Sequence, residues 1–480
     1  MDVLESAFHP NAVAVAGASE DPFSFGYHYV CHLLDYGYPG HIYPVNPRRA
    51  TIQGLKAYPN LTSIPEPVDY VICCLPASKV LDLLAECPSR GVKVVHLLTA
   101  RLSETGRQEA IDLEARILQE AMRVKVRLIG PNCMGIYYPG GGISLGYDFS
   151  NESGTIGVVF QSGGASDLLI RHGELQGLRF SKVISYGNAL DLDESDFLNY
   201  LAHDDETRVI AAYFEGAKDG RKLLNALADA ARVKPVIVIK GGRGIAGTRA
   251  AASHTAALAG SNIIWETAFR KAGVIQAEDV HELVNFLVAF SFLPPIRGDR
   301  VGILGGGGGM AVMSADICEE AGLVVPPLTA EIREKLRVKA PEIWDWVGNP
   351  IDISIMGGIS MGFEEALGVL PELIVESPQF DFIIAGLNED NPFTKDIWST
   401  VVRAQTEKYI NLSRERLKPL VVVVSGGEVS SDQCGNLHWK VLAEQRARLI
   451  DAHVPTYLTV GEAARVLRQV INYWQTREET

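Results

Sequence analysis

The fold of this chain is decided by a stretch about one third of the way along it, residues 155–164, which reads TIGVVFQSGG. A short apolar run that ends in paired glycines is typical of a buried parallel strand turning into a helix. Residues 300–309, RVGILGGGGG, repeat this pattern, and residues 12–19, AVAVAGAS, begin a similar series. Because apolar runs alternate with helical patterns after each of these segments, the sequence predicts three α/β units built on parallel sheets.

The second and third units follow one plan. The segment YGNALDLD at residues 186–193 matches GNPIDIS at 348–354, and KPVIVIKGG at 234–242 matches KPLVVVVSGG at 418–427. The order of the matches indicates an internal repeat, although any two doubly wound domains share some strand-then-glycine segments. The repeat predicts that these two domains have the same topology.

The length of 480 residues is also that of about three domains. We expect the domains to span residues 1–138, 150–296 and 297–480. The glycine-rich segment Pro139–Gly142 breaks the first pattern and is interpreted as a linker.

Composition excludes several classes of protein. The formal net charge of -14, without a cluster of Lys and Arg, excludes a nucleic-acid-binding surface. No apolar run reaches the length of a membrane span, so we expect no membrane association. The seven cysteines form neither a CxxC pair nor a metal-binding pattern, which predicts a cytoplasmic protein without a metal site of its own.

The first unit has the features of a phosphate-binding domain. The turn Gly17–Ser19 follows a strand, and Gly26 begins the next helix, whose N-terminal amides would attract an anion. A dehydrogenase would show GxGxxG and an acid after the second strand, whereas this strand ends in Pro44–Arg49, with two arginines and no acid. These residues disfavour NAD and suit a ligand that carries an additional phosphate.

Four motifs then occur in the order typical of one family: Gly17-Ala18-Ser19, Tyr43-Pro44-Val45-Asn46-Pro47, Leu75-Pro76-Ala77 and Gly130-Pro131-Asn132-Cys133-Met134-Gly135. Together they resemble the CoA-binding domain of succinyl-CoA synthetase-like and ADP-forming acyl-CoA synthetases. The resemblance implies an α/β fold in which a Rossmann-like CoA-binding domain precedes two flavodoxin-like doubly wound parallel-sheet domains. The residues that it implies for the CoA site are Gly17, Ser19, Asn46, Pro76, Asn132 and Cys133.

A histidine in the second unit is the candidate nucleophile. His254 lies in a stretch of small residues, and a neutral imidazole is a competent nucleophile near pH 7. Its surroundings resemble the phosphohistidine loop of the same family, which implies that Glu215 holds the other ring nitrogen. The two glycine-rich turns would hold one phosphate between two domains with the amides of their helix N-termini. The residues expected to bind it are Ser162, Gly163, Gly164, Gly307, Gly308 and Gly309.

The resemblance implies the reaction as well. Acyl-CoA, ADP and phosphate would be interconverted with a carboxylate, CoA and ATP, through an acyl phosphate and a phosphohistidine. CoA is then a substrate, and ATP or ADP with Mg²⁺ would be bound by a separate ATP-grasp beta-type subunit. A hetero-oligomer is expected because the chain has no GxxxxGK[ST] loop and its last residues, 460–480, read as one helix.

Two departures from the family pattern leave alternatives open. Arg101 stands where the family usually has glycine, and Ala256 replaces a glycine beside the histidine. A non-catalytic regulatory protein that binds CoA or acyl-CoA is therefore one alternative, and an NAD-linked dehydrogenase is a weaker one. The acyl group, the choice between ADP and GDP, the direction of the reaction and the subunit stoichiometry do not follow from the sequence.

Overall fold

A computed structural model describes residues 3–255, 261–352, 363–387, 394–425 and 436–477, with the backbone alone for 251–255 and 363–367. The chain forms two compact units, residues 1–284 and 285–480. No helix in the described part of the chain combines the length and apolarity needed to cross a membrane.

The first sheet is wholly parallel and has the order β2-β1-β5-β6-β7. Its strands are β1 Ala12–Ala16, β2 His41–Val45, β5 Tyr70–Cys73, β6 Val94–Leu97 and β7 Arg127–Ile129, with a hairpin of β3 Thr51–Ile52 and β4 Leu55–Lys56 beside it. The accompanying helices are α1 Glu5–Phe8, α2 Phe25–Asp35, α3 Val80–Glu86 and α4 Gln108–Val124. The side chains of β1, β5 and β6 are buried along their whole length, as expected for parallel strands covered by helices.

The second sheet belongs to the same unit and has the order β13-β12-β11-β9-β10-β8. Its strands are β8 Gly135–Tyr137, β9 Ile156–Phe160, β10 Phe180–Ser185, β11 Val209–Phe214, β12 Val236–Lys240 and β13 Ile275–Ala277. The helices of this region are α5 Gly163–Glu174, α6 Glu194–His203, α7 Gly220–Val233, α8 Ile245–Thr255, α9 Asn262–Ala272 and α10 Val280–Phe292. All pairings are parallel except that of β8 with β10.

The third sheet, in the second unit, has the order β14-β15-β16-β17 and is parallel. Its strands are β14 Val301–Leu304, β15 Phe382–Gly386, β16 Leu420–Val423 and β17 Thr456–Tyr457. Its helices are α11 Gly308–Glu320, α12 Ala330–Lys339, α13 Phe363–Glu376, α14 Lys395–Glu415, α15 Leu437–Asp451 and α16 Val460–Gln475.

The second and third sheets share one topology. The order β14-β15-β16-β17 reproduces β9-β11-β12-β13, and a parallel bridge from Leu304 to Ile351 continues the third sheet on the side where β10 pairs with β9. The repeat and the α/β parallel-sheet class predicted from the sequence are therefore confirmed. The sheets span residues 12–129, 135–277 and 301–457, and the limits of three domains at 1–138, 150–296 and 297–480 stay a prediction.

The segment Pro139–Gly142 is not a linker, which corrects the sequence interpretation. Residues Pro139–Gly141 form a tight turn closed by a bridge between Tyr138 and Ile143, and Pro139 is buried. A Cβ atom on Gly142 would lie 2.8 Å from the backbone nitrogen and Cα of Tyr38. The glycines here permit close packing of two backbones rather than free movement.

Replacing Gly142 by alanine tests this packing. Gly142 has φ +67° and a crowded Cβ position, whereas Gly54, in the hairpin turn, has φ +77° and no other atom within 4 Å. We expect Gly54→Ala to cost about 1 kcal/mol through its backbone conformation alone. Gly142→Ala should cost about 3 kcal/mol because the backbone of Tyr38 must also move. Denaturant unfolding would measure both, and equal losses would contradict the close packing.

Candidate functional site

The turn after β1 brings three of the predicted residues together. Gly17 has φ +86°, and a Cβ atom there would lie 3.0 Å from the carbonyl oxygen of Cys74. Asn46 reaches across from the end of β2, where its Nδ2 donates to the Ala18 carbonyl oxygen at 2.8 Å. Ser19 Oγ accepts a hydrogen bond from the backbone N–H of Asp21. These bonds hold the two strand ends as one polar rim.

A cavity of about 520 Å³ opens at this rim. Gly17, Ser19 and Asn46 line it, together with two basic side chains, Arg48 and Lys79, and two acidic ones, Asp82 and Glu86. The sequence analysis noticed Arg48 but missed Lys79, which ends the short helical turn Ala77–Lys79 and pairs with Asp82 at 3.2 Å. The cavity thus offers both amide hydrogen-bonding groups and cations to an anionic ligand.

Pro76 follows β5, and the turn of residues 130–135, called the Asn132 turn below, follows β7. Because the first sheet is parallel, both lie at the same edge of it as Gly17 and Asn46. Pro76 caps the turn that carries Lys79. Asn132 adopts φ +57° and donates its backbone N–H to the Thr99 carbonyl oxygen at 2.9 Å. The Cys133 side chain is buried, and its sulfur lies 3.7 Å from the Leu97 carbonyl oxygen. Any contact of Cys133 with a ligand would therefore come from its backbone.

The buried side chain of His96 packs against the Asn132 turn. Burial lowers the pKa of His96 to about 4, so its ring is neutral at pH 7. Its Nε2 lies 3.1 Å from the Cys133 carbonyl oxygen, and since a carbonyl only accepts, the proton is on Nε2. Gly135 has no room for a side chain because a Cβ atom there would lie 2.4 Å from the imidazole.

The loop after β10 adds a residue that the sequence analysis did not select. Asn188 donates its backbone N–H to the Pro131 carbonyl oxygen at 3.0 Å and its Nδ2 to Glu104 Oε2 at 3.0 Å. Its Oδ1 lies 3.5 Å from Nδ2 of Asn132. The only available signal was the Gly-Asn pair shared by the two repeats. Asn188 connects the second sheet to both loops of the first.

The second glycine turn meets Glu215 at the ends of β9 and β11. Ser162 caps α5 by accepting from the Ala165 N–H at 3.3 Å, and Gly164 has open space where a side chain would be. Gln161, buried beside it, accepts the N–H of Glu215 at 2.8 Å through its Oε1. Lys240 donates to the Glu215 carbonyl oxygen at 2.7 Å. The backbone of Glu215 is therefore fixed next to the residue that precedes the cap of α5, and its buried carboxylate accepts a hydrogen bond from the Tyr213 hydroxyl at 3.2 Å.

The backbone of His254 lies in α8, which follows β12 and approaches the turn Ser103–Thr105, located after β6. The side chain of His254 and residue Ala256 lie outside the described residues. Arg101, two residues before that turn, has φ +70°, the left-handed conformation that glycine adopts readily. The loop thus keeps a glycine-like backbone despite the arginine.

The third glycine turn lies in the second unit. Gly307 caps α11, and Gly308 and Gly309 form its first turn. Oδ2 of Asp352 would lie 3.3 Å from a Cβ atom on Gly308. In the described residues of either unit, no group of three or more His, Cys, Asp or Glu side chains could hold a metal ion.

Burial of Cys133 predicts an unreactive thiol. Burial raises the pKa of Cys133 to about 12, so its thiol stays protonated at pH 8. Burial also raises the pKa of Cys31, but this residue is only half-buried, so a reagent reaches its sulfur more easily than that of Cys133. We expect iodoacetamide to alkylate Cys31 well before Cys133 in the native protein, measured by peptide mass spectrometry. Equal rates would contradict the packing of the Asn132 turn.

Comparison with known proteins gives consistent matches over this architecture. Residues 11–139 match a family described as a CoA binding domain, and residues 153–290 match the succinyl-CoA ligase like flavodoxin domain. The alpha subunit of acetate–CoA ligase [ADP-forming] I from Pyrococcus furiosus is 33% identical over 88% of this chain and 90% of its own length. The alpha subunit of the second such ligase of that organism is 36% identical over 80% of this chain and 82% of its own length.

Longer proteins and a solved structure match too. An ADP-forming acetate–CoA ligase of Methanocaldococcus jannaschii is 35% identical over 73% of this chain, but only 49% of its own length is covered. A dinucleotide forming acetyl-coenzyme A synthetase 1 of Ca. Korarchaeum cryptofilum, solved with phosphate and ADP, superposes with a TM-score of 0.85 at 29% identity. That match covers 100% of this chain and 98% of the solved one.

Proposed function

The chain belongs to the ADP-forming acyl-CoA synthetases, as a relative of their alpha subunits, and on this premise we propose that it carries the acyl-transfer half of the reaction with His254 as phosphate carrier. Membership makes it an ADP-forming acid–thiol ligase whose reaction involves CoA and a nucleotide. The single observation that carries the proposal is the junction of the Asn132 turn, the α5 N-terminus and Glu215 within one unit.

CoA is proposed to occupy the cavity at the end of β1. Gly17, Ser19, Asn46 and Arg48 line this cavity, and Lys79 supplies a second cation for the phosphates. Pro76, Asn132 and Cys133 are proposed to contact the pantetheine arm with their backbones. The buried, neutral His96 keeps the Asn132 turn in place without adding charge.

The chemistry proposed for this unit has two steps. A phosphate oxygen attacks the thioester carbonyl, the carbon–sulfur bond breaks, and the proton released by phosphate goes to the CoA thiolate. The imidazole of His254 then attacks phosphorus in the acyl phosphate, and the carboxylate leaves. Ser162, Gly163 and Gly164 would neutralise phosphate charge with the amides of α5, and Glu215 would hold the proton of the other ring nitrogen. The glycines Gly307, Gly308 and Gly309 are proposed to bind phosphate in the same way.

A partner subunit is part of the proposal. The Methanocaldococcus relative is about twice as long as the region that matches this chain. We propose that a separate ATP-grasp beta-type subunit supplies the corresponding remainder and binds ADP with Mg²⁺, which neutralises the charge of the transferred phosphate. The phosphohistidine would then deliver its phosphate to ADP in a hetero-oligomer.

Phosphorylation of the isolated chain tests the carrier. Incubation with acetyl-CoA and labelled phosphate should give an acid-labile, base-stable label on the wild-type protein, because phosphohistidine has this stability. We expect His254→Ala to abolish the label, while Glu215→Gln lowers the rate about a hundredfold by releasing the ring tautomer. His203→Ala, at an exposed helix end, is the matched control and should label normally. Label retained in His254→Ala would contradict the assignment.

The cavity assignment has its own test. Arg48→Ala should weaken CoA binding about tenfold, because a charge-assisted hydrogen bond to phosphate is lost. Binding of dephospho-CoA, which lacks one phosphate, should be weaker in the wild type and change little in the variant. Calorimetric titration of both ligands would measure this. Equal losses for the two ligands would mean that Arg48 contacts a different part of CoA.

A further inference from the structure

Arg101 combines an unfavourable backbone with an exposed side chain. Its φ of +70° lies in the left-handed region, which residues other than Gly, Asn and Asp seldom adopt. A long cationic side chain gains nothing locally from this conformation, and its guanidinium has no hydrogen-bond or ion-pair partner in the described chain. Lys125 and Arg416 also have positive φ, but they end helices α4 and α14, where this conformation is common, whereas Arg101 does not.

Glu104 holds the strained backbone in place. Its carboxylate accepts the backbone N–H of Arg101 through Oε1 and that of Leu102 at 3.1 Å through Oε2. Asn188, from the second sheet, donates its Nδ2 to Oε2 at 3.0 Å. These three donors therefore occupy both oxygens of the Glu104 carboxylate. The guanidinium is thereby presented from a fixed loop rather than paired with its neighbouring acid.

The loop that carries Arg101 lies between the Asn132 turn, proposed to contact CoA, and α8, which contains the proposed phosphate carrier. Thr99, two residues before Arg101, accepts the backbone N–H of Asn132 at 2.9 Å. On its other side, the turn Ser103–Thr105 is approached by α8, the helix that contains the backbone of His254. Arg101 therefore lies in the loop between Thr99, which is bonded to the Asn132 turn, and the turn that α8 approaches.

Two other cations near this junction are already engaged by backbone carbonyls. Lys218 donates to the Ala189 carbonyl oxygen at 2.7 Å, and Lys240 donates to that of Glu215 at 2.7 Å. The proposed phosphate site uses the amides of α5, so the guanidinium of Arg101 has no role in it. A guanidinium matches a carboxylate with two parallel hydrogen bonds.

We propose that Arg101 binds a second carboxylate at the far end of the acyl group, so that this chain prefers thioesters of dicarboxylic acids over those of simple fatty acids. This inference rests on the proposed function, because it assumes that the thioester lies beside the Asn132 turn. Arg101 is thus a specificity-determining residue, and its backbone is positioned by Glu104 and Asn188.

CoA release from paired thioesters tests this inference. The full chain is incubated with phosphate and with succinyl-CoA or butyryl-CoA, and then with glutaryl-CoA or valeryl-CoA; each pair differs by a carboxylate in place of a methyl group. In a single turnover, we expect the wild type to release CoA faster from the dicarboxylic member of at least one pair, and Arg101→Gln to lower that rate constant about tenfold, the usual effect of losing a charge-assisted hydrogen bond. Its butyryl and valeryl values should stay unchanged.

Two further variants separate recognition from folding. Arg101→Gly removes the side chain and suits the positive φ, so its melting temperature should be no lower than that of the wild type while the preference is lost. Arg107→Gln removes an exposed cation six residues away and should keep the preference.

Three results would overturn the inference. These are a wild type with no preference, an Arg101→Gln variant whose rate falls equally on both members of a pair, and a variant that needs more phosphate for half-maximal CoA release, which would make phosphate the anion bound. Absence of CoA release from all four thioesters would instead reject the proposed function, and this inference with it.

Discussion

The loop that follows β10 packs its backbone against the turn that follows β7, and the geometry of the candidate site depends on this contact. Leu190 donates its N–H to the Gly130 carbonyl oxygen at 2.8 Å, and Asn188 donates to that of Pro131 at 3.0 Å. Gly187 makes the approach possible, since a Cβ atom there would lie 2.3 Å from the Pro131 carbonyl oxygen. Any side chain at residue 187 would separate the two sheets at the point where they share the site.

The chain path strengthens this contact. Immediately after the Asn132 turn the polypeptide enters the second sheet as β8, which pairs with β10, so the turn is anchored on both sides. The Met134 N–H donates to Ser185 Oγ at 3.2 Å, and its side chain occupies the space that a Cβ atom on Gly163 would need. The Asn132 turn, proposed to lie beside the thioester, and helix α5, proposed to bind phosphate, are therefore held close together by a short stretch of chain and a few contacts.

The sequence predicts the local parts of this arrangement and misses those that span the chain. Buried strands and glycine turns are encoded within about ten residues, so the three sheets, the internal repeat and the turns at Gly17 and Ser162 could be predicted. The contact of Glu104 with Asn188 joins residues 84 apart, and that of Gln161 with Glu215 joins residues 54 apart. Neither pair has a local pattern, because Glu104 and Asn188 follow strands of different sheets, and Gln161 and Glu215 follow two neighbouring strands, β9 and β11, that are far apart in the sequence.

Composition was misleading where glycine serves packing. The segment Pro139–Gly142 has the composition of a flexible connection, yet its glycines admit the backbone of Tyr38 and the ring of Tyr138. Strand β8, just before it, is three residues long and antiparallel, which no alternation of that length can reveal. Glycine marks both loose and tightly packed chain, and only the neighbouring atoms distinguish the two.

The side chain at residue 161 shows how hydrogen bonding and charge are balanced at this site. Gln161 Oε1 accepts the N–H groups of Glu215 and Gly216, at 2.8 Å and 3.4 Å, and thereby aligns the Glu215 loop with the start of α5. A glutamate would accept the same bonds more strongly, but it would add a buried negative charge beside Glu215 and the helix N-terminus. That charge would oppose a bound phosphate. The neutral amide keeps the loop in place and leaves the dipole of α5 available to an anionic ligand.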